Sequence, residues 1–148
     1  MANEIFIIQF EFIYRALSLN IENITHEEAV IFPEEGGNCM NWMLGHILDY
    51  RNRMLAVLNQ EPIWNKETIS CYKRGTNAAA EKNNFLQWQQ LLNYLSHTQT
   101  LILKTLKEAE INEPDKIKSF AQLLAHESYH TGQIGLLRRV LGKEGKLK

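Results

Sequence analysis

Apolar residues recur every three or four positions along four long segments of this 148-residue chain. An α-helix brings residues at that spacing onto one face, so each segment predicts an amphipathic helix with a buried stripe. We place these helices at about residues 4–23, 38–59, 83–109 and 119–141. No segment alternates apolar and polar residues for long enough to predict a strand. The expected fold class is therefore all-α, and four long amphipathic helices favour a four-helix bundle.

The length of the chain fits one domain over residues 1–148, with a core large enough to fold without a metal or a disulfide. The stretch at about 61–82 is longer than most bundle loops, so it either folds locally or crosses the length of the bundle. Trp64 and Tyr72 are its candidate anchors.

Local signals predict where several helices begin and end. Thr25 and Glu28 have capping-box spacing for a short extra turn. Asn38 is the predicted cap of the second helix. The fourth helix is expected to start at a capping box formed by Ser119 and Gln122 and to end before Gly142.

The charge balance excludes several classes of partner. The chain has 16 Lys and Arg against 17 Asp and Glu, a net charge of −1. Without a basic stripe we expect no nucleic-acid partner, and without a polybasic segment or a run of about 20 apolar residues we expect no membrane partner. Cys39 and Cys71 fit neither a disulfide framework nor a CxxC motif. Reduced thiols and the lack of a signal peptide predict a cytoplasmic protein.

Three of the five histidines form a candidate metal site. His126 and His130 lie one turn apart on the fourth helix, about 40° around the axis and roughly 6 Å along it, so both rings can point at one atom. On that helix they share a predicted core seam with Leu123, Gln133, Leu137 and Val140. His46 is in residues 42–48, which are apolar almost all round and must be buried on several sides. Gly45 beside it would let a neighbouring helix approach closely.

Three neutral imidazoles suit zinc or nickel, whereas magnesium and calcium require oxygen ligands. Three protein ligands also leave open positions for water or a substrate, as catalytic sites do. The competing interpretation is that these histidines are hydrogen-bonded core residues. Cys39 lies seven residues before His46, roughly 10 Å along a helix, which is too far for it to share the ion.

Residues near the histidines have two open interpretations. Gln133 could orient a ligand or substrate, or it could be a core glutamine bonded to a backbone group. Asp49 and Tyr50, one turn after His46, carry the same ambiguity. Glu127 points about 100° away from His126, which favours a solvated face or an interhelical ion pair over a catalytic base. His26 and His97 are expected to be ordinary residues, one in a polar turn and one off the seam of the third helix.

Two segments carry a resemblance to a known family. Residues 41–47 (NWMLGHI) and 125–139 (AHESYHTGQIGLLRR) contain Trp-x3-His and His-x3-His-x2-Gln. In this order and at this spacing they resemble the DinB-like, or DinB/YfiT-like, metalloenzyme family over nearly the whole chain. The family's metal-binding histidines correspond to His46, His126 and His130.

The resemblance implies a four-helix bundle of up-down-down-up connectivity, with the long segment after the second helix as the crossover. It also implies a homodimer and a nickel or zinc ion. Characterised members include thiol-dependent S-transferases and isomerases that use bacillithiol, mycothiol or glutathione. We therefore expect a metal-dependent enzyme that activates a low-molecular-weight thiol or water for a small-molecule substrate. The alternative is a bundle protein that binds metal or senses a small molecule without catalysis.

The first helix has more apolar residues than one stripe needs. Ile5, Ile7, Ile8 and Phe12 lie beside or off the main stripe. These residues are expected to form either a dimer interface or a broad core face.

Overall fold

The computed structural model describes residues 2–147, and within that range it is all helical, as the periodicity predicts. Six α-helices are joined by loops that contain two 3-10 turns, Ser70–Tyr72 and Lys82–Asn84. The helices are α1 (Ala2–Ile21), α2 (His26–Ala29), α3 (Met40–Val57), α4 (Lys66–Ile69), α5 (Trp88–Glu108) and α6 (Pro114–Val140). None of the described helices combines the length and apolar character needed to cross a membrane.

The apolar stripe predicted for α1 is confirmed. Its six members are all buried: Phe6, Phe10, Ile13, Leu17, Ile21 and Ile24. The capping box predicted after α1 is also present, because the Thr25 hydroxyl accepts from the Glu28 N–H and the Glu28 carboxylate accepts from the Thr25 N–H. This box starts the single turn of α2.

The starts of α3 and α5 differ from the prediction. Asn38 does not cap α3, because Cys39 is the N-cap residue and makes no side-chain capping bond. The third long helix begins at Trp88 instead of residue 83, since the chain is extended at Phe85 and a reciprocal box between Gln87 and Gln90 starts the helix. Residues 42–48 are all buried, as their composition predicts.

The predicted start of α6 at Ser119 is wrong. Pro114 opens the helix five residues earlier, because its ring presets the helical φ and the missing N–H has no partner in a first turn anyway. The predicted core seam is offset as well. Val140 is 55% exposed, and the buried face is formed by Phe120, Leu124, Glu127, Thr131, Ile134, Leu137 and Arg138. His126 and His130 therefore lie at the edge of this buried face, only partly buried.

Side-chain contacts fix the relative directions of the long helices. Phe6 packs on Phe120 with ring centroids 5.0 Å apart, and Asn20 donates to the Thr131 carbonyl, so α1 runs parallel to α6. The segment between α3 and α5 folds locally through α4 and the 3-10 turns. Its predicted anchors, Trp64 and Tyr72, are both buried.

One guanidinium group connects all four long helices. Arg51 of α3 is fully buried and pairs with the fully buried Glu127 of α6, with 2.6 Å between Nη2 and Oε1. Its remaining donors reach α5, at the Leu95 carbonyl, the Thr98 hydroxyl and the Gln99 side chain. The ring of Phe10 in α1 lies 4.6 Å from the guanidinium carbon. The interhelical ion pair considered for Glu127 is therefore present, and each N–H of Arg51 has an acceptor.

We expect Glu127→Ala to destabilise the fold by about 3–5 kcal/mol, because it leaves a buried guanidinium without its counter-charge. Urea unfolding measures this loss. Glu108→Ala is the matched control, since Glu108 pairs with Lys104 on an exposed surface of α5 and its loss should cost less than about 1 kcal/mol. Replacing both partners, Arg51→Met with Glu127→Leu, should recover most of the stability. Equal costs for the two alanine variants would contradict this assignment.

Candidate metal centre

The structure brings His46, His126 and His130 together between α3 and α6. One ligand nitrogen from each ring lies within 4.8 Å of the other two. The rings of His46 and His130 are 4.9 Å apart, and Arg51, further along α3, meets Glu127, which precedes His130 on α6. The two helices are therefore antiparallel, and each delivers its histidines to the same level.

Hydrogen bonds fix the orientation of two of these rings. Nδ1 of His46 lies 2.8 Å from the backbone carbonyl of Tyr72, and Nδ1 of His130 lies 2.6 Å from Oε1 of Gln133. Both partners accept hydrogen bonds, so each Nδ1 carries the proton and each Nε2 keeps a free lone pair. This is the arrangement in which metal-binding histidines are usually held.

The third ring is positioned by stacking. His126 lies face to face with Tyr50, with ring centroids 3.4 Å apart and planes 7° apart. Its Nε2 is 3.1 Å from Nε2 of His130, while its Nδ1 is buried without a hydrogen-bond partner among the described residues. His46 is stacked on Trp42 in a similar way, at 4.7 Å. Aromatic faces thus hold the rings where hydrogen bonds do not.

All three imidazoles are kept neutral. Burial lowers the pKa of His46 and of His130, each against a weaker opposing effect of its hydrogen bond. The pKa of His126 falls to about 3, chiefly through burial and then through the neighbouring His130 and His46. Neutral imidazole is the form that binds a metal, so at neutral pH no proton has to leave before a cation can enter.

Gly45 has a specific packing role. A Cβ built on Gly45 would overlap the ring of Tyr72. Tyr72 is fully buried, its hydroxyl donates to Asn41 and accepts from the Leu86 N–H, and its carbonyl accepts from His46. The close approach expected at Gly45 therefore occurs, but the neighbour is Tyr72, from the segment between α3 and α5, and not another long helix.

The structure resolves the ambiguous residues one by one. Gln133 orients His130 and makes no backbone bond there, and its own amide donates to the Tyr129 hydroxyl. Tyr50 packs on His126, whereas Asp49 pairs with Arg53 and makes no hydrogen bond to a histidine.

The residues expected to lie outside the site do so. His97 is exposed, and His26 accepts from the backbone N–H of Trp88 at the start of α5. Cys39 is buried and free, and it is not part of the histidine cluster.

Sequence reasoning missed two contributors to the site. The Tyr72 carbonyl that orients His46 is a backbone group 26 residues away, and no side-chain pattern signals it. Trp42 belongs to the Trp-x3-His motif, but its stacking on His46 is not part of the prediction, although the i, i+4 spacing places the two side chains on one helix face.

The donor set fits a borderline divalent cation. Three neutral nitrogen donors converge, two have fixed tautomers, and the third has a buried ring nitrogen without a partner. No carboxylate belongs to the group, which disfavours magnesium and calcium.

A protein-family model of the DinB superfamily matches residues 9–134, a range that includes all three histidines. The chain belongs to the DinB superfamily. No curated protein and no solved structure gives a match. The resemblance based on residues 41–47 and 125–139 is thus confirmed at the level of the superfamily.

In this DinB-superfamily chain we expect Gly45→Ala to destabilise the fold by about 1–3 kcal/mol through overpacking against Tyr72. It should also weaken zinc binding by roughly tenfold or more, because the carbonyl that orients His46 must shift. Gly132→Ala is the control, since a Cβ there meets open space, and it should leave zinc affinity unchanged. Calorimetric zinc titration and urea unfolding measure both effects. Unchanged zinc affinity in Gly45→Ala would show that Tyr72 does not set the site.

The lowered histidine pKa values predict a pH-dependent stability for the metal-free protein. Below pH 6.5, the ordinary pKa of histidine, the unfolded chain binds protons that the folded site does not bind. The free energy of unfolding is therefore highest above pH 6.5. It decreases as the pH falls toward the folded pKa of His126, about 3. Urea unfolding at pH 7.5, 6.0 and 5.0 should show this decline, and His126→Gln should make it shallower. An identical slope in both proteins would refute the assignment. His97→Gln should retain the parent slope.

Proposed function

We propose that this chain is a metalloenzyme in which His46, His126 and His130 hold a divalent ion, nickel or zinc, beside a small-molecule substrate. The observation that carries the proposal is the arrangement of the imidazoles: Nδ1 of two rings is engaged in a hydrogen bond, and one nitrogen of each of the three rings lies within 4.8 Å of the other two. A site made of three ligands leaves positions for an exogenous molecule, whereas structural zinc usually has four protein ligands.

A divalent ion in this site would lower the pKa of a coordinating thiol, or of water, enough to supply a nucleophile at neutral pH. The chain's own residues provide the rest. Tyr72 and Gln133 hold the tautomers of His46 and His130, and the Tyr50 ring covers one face of His126. Family membership supports a low-molecular-weight thiol, such as bacillithiol, mycothiol or glutathione, as the molecule activated.

A groove of about 610 Å³ supports a small-molecule substrate. Gln133 and Met43 line it, the first bonded to His130 and the second one turn before His46. Its other walls are mostly apolar and include Ile31, Phe32, Leu136 and Val140. The groove also contains Glu34 and Glu35, and it reaches the candidate metal centre through Gln133. The apolar portion of an electrophile would pack against its apolar wall.

The helix directions support an up-down-down-up four-helix bundle as the frame of this site. Besides the pairs described above, α5 is antiparallel to α1, because Asn3 donates to the Leu106 carbonyl and His26, just after α1, accepts from the Trp88 N–H. The segment between α3 and α5 would then be its crossover. Both cysteines are free and buried, which supports a reducing compartment, and we place the protein in the cytoplasm.

The first test is metal content of protein purified without an affinity tag. We expect close to one nickel or zinc per chain, lost in His130→Ala and retained in His97→Ala, as measured by elemental analysis. The metal-loaded protein is then incubated with each of the three thiols and monochlorobimane or an epoxide. Metal-dependent acceleration with one thiol is the expected result. Metal retained in His130→Ala would exclude the ligand set, and bound metal without acceleration would favour a non-catalytic binding or sensing role.

We also propose a homodimer formed through α1. Ile5, Ile8 and Phe12 are 58%, 67% and 69% exposed, and the last two line a groove of about 460 Å³ against α6. Ile7, by contrast, packs against the core, so only part of the apolar surplus is available. Light scattering should give twice the mass of 17.2 kDa for the parent and the single mass for Phe12→Asp. A parent protein of single mass at micromolar concentration would contradict the dimer.

A further inference from the structure

Arg53 borders the three-histidine site, and Arg74 lies two residues after Tyr72, whose carbonyl accepts a hydrogen bond from His46. Arg53 lies over the ring of Tyr50, with its guanidinium carbon 4.1 Å from the ring centroid, and that ring is stacked on His126. One of its N–H groups contacts Asp49 at 3.3 Å, and the side chain is 54% exposed. Arginine has five N–H donors, so most of its hydrogen-bonding capacity faces outward.

Arg74 approaches from the crossover. It lies at the tip of the turn 73–76, which is closed by a hydrogen bond from the backbone N–H of its last residue to the carbonyl of its first. Gly75 supplies the positive φ of 85° in this turn, and Tyr72 immediately before it accepts the hydrogen bond from His46. Within residues 2–147, no hydrogen bond or ion pair engages the Arg74 guanidinium. Arg74 is therefore an exposed cation in the turn that directly follows Tyr72, the residue whose carbonyl orients the candidate ligand His46.

Two positive charges and one negative charge act on His46. Burial lowers the pKa of His46 and His126 most, and the positive charges of Arg53 and Arg74 lower both values further, so both guanidinium groups act at the histidines. Asp49 is the carboxylate whose charge opposes them at His46. A divalent ion among neutral imidazoles would add to this excess, which is unfavourable unless an anion enters with it.

We propose that the small molecule that reaches the three-histidine site carries a carboxylate, which Arg74 and Arg53 receive. This inference rests on the proposed function and specifies its substrate class. The planar fork of a guanidinium matches the two oxygens of a carboxylate, and a charge-assisted contact of this kind discriminates against a neutral amide of the same shape. Arg74 is free to turn toward such a group, while Arg53 is already positioned by Tyr50 and Asp49.

The test uses matched pairs that differ only in charge. Zinc-loaded ¹⁵N-labelled protein is titrated with 3-mercaptopropionate and with 3-mercaptopropanamide, and dissociation constants are taken from the NMR shifts. We expect the carboxylate to bind about tenfold more tightly than the amide. Arg74→Gln should reduce this preference to less than about threefold without changing the affinity for the amide. Arg15→Gln, the same charge change at an exposed position on α1, should keep the full preference.

A second pair without sulfur, propionate and propanamide, separates this inference from thiol activation. It is titrated into the zinc-loaded and the metal-free chain. If the thiols bind no better than their sulfur-free counterparts, the proposal that the site activates a thiol is wrong. The comparison of propionate with propanamide still shows whether the arginines bind a carboxylate. Equal affinity for both members of each pair in the parent protein would overturn the proposal. A preference for the carboxylate that persists in both the Arg74→Gln and the Arg53→Gln variant would also overturn the proposal.

Discussion

The buried ion pair between Arg51 and Glu127 determines how the helices of this protein can be arranged. Two desolvated charges are costly unless every donor and acceptor is matched, and the guanidinium is matched by groups from α5 and α6 and by an aromatic ring of α1. Sliding α3 by one turn along α6 would break these contacts together. The pair therefore sets the register between the two helices far more strictly than interchangeable leucines would.

That register is what forms the candidate metal centre. Glu127 directly follows His126, and Arg51 directly follows Tyr50, which stacks on His126. The ion pair thus lies one residue from the site on both helices, on the core side of it. α6 uses adjacent residues for two purposes, because Glu127 points into the core while His126, turned by about 100°, faces α3 at the edge of that core.

This double use explains where sequence reasoning succeeded and where it did not. The periodicity of α1 predicted its large apolar buried residues correctly, but it did not predict that Asn3 and Asn20 are buried on the same helix. On α6 the same reasoning placed the histidines on the core seam, although the buried face is one position away and contains Glu127 and Arg138. Polarity alone does not predict that Glu127 is buried, because its burial depends on the pairing with Arg51. That partner is 76 residues away in the chain, so no local pattern reveals it. The early start of α6 was missed because the capping-box spacing at Ser119 outweighed the proline at its true first turn.

The three histidines were predictable as a group, and so was Gln133 as a residue that orients one of them, but the contact that orients His46 was not. The partner of His46 is the backbone carbonyl of Tyr72, in the segment between α3 and α5, and it is held there because Gly45 leaves room for the Tyr72 ring. Such a contact depends on tertiary packing, and a glycine in a helix indicates only that something comes close. The turn that carries Arg74 directly follows Tyr72, so the same packing also fixes where this turn begins. One small residue on α3 therefore controls both the position of the Tyr72 ring and the carbonyl that orients His46, at the cost in helix stability that a glycine brings.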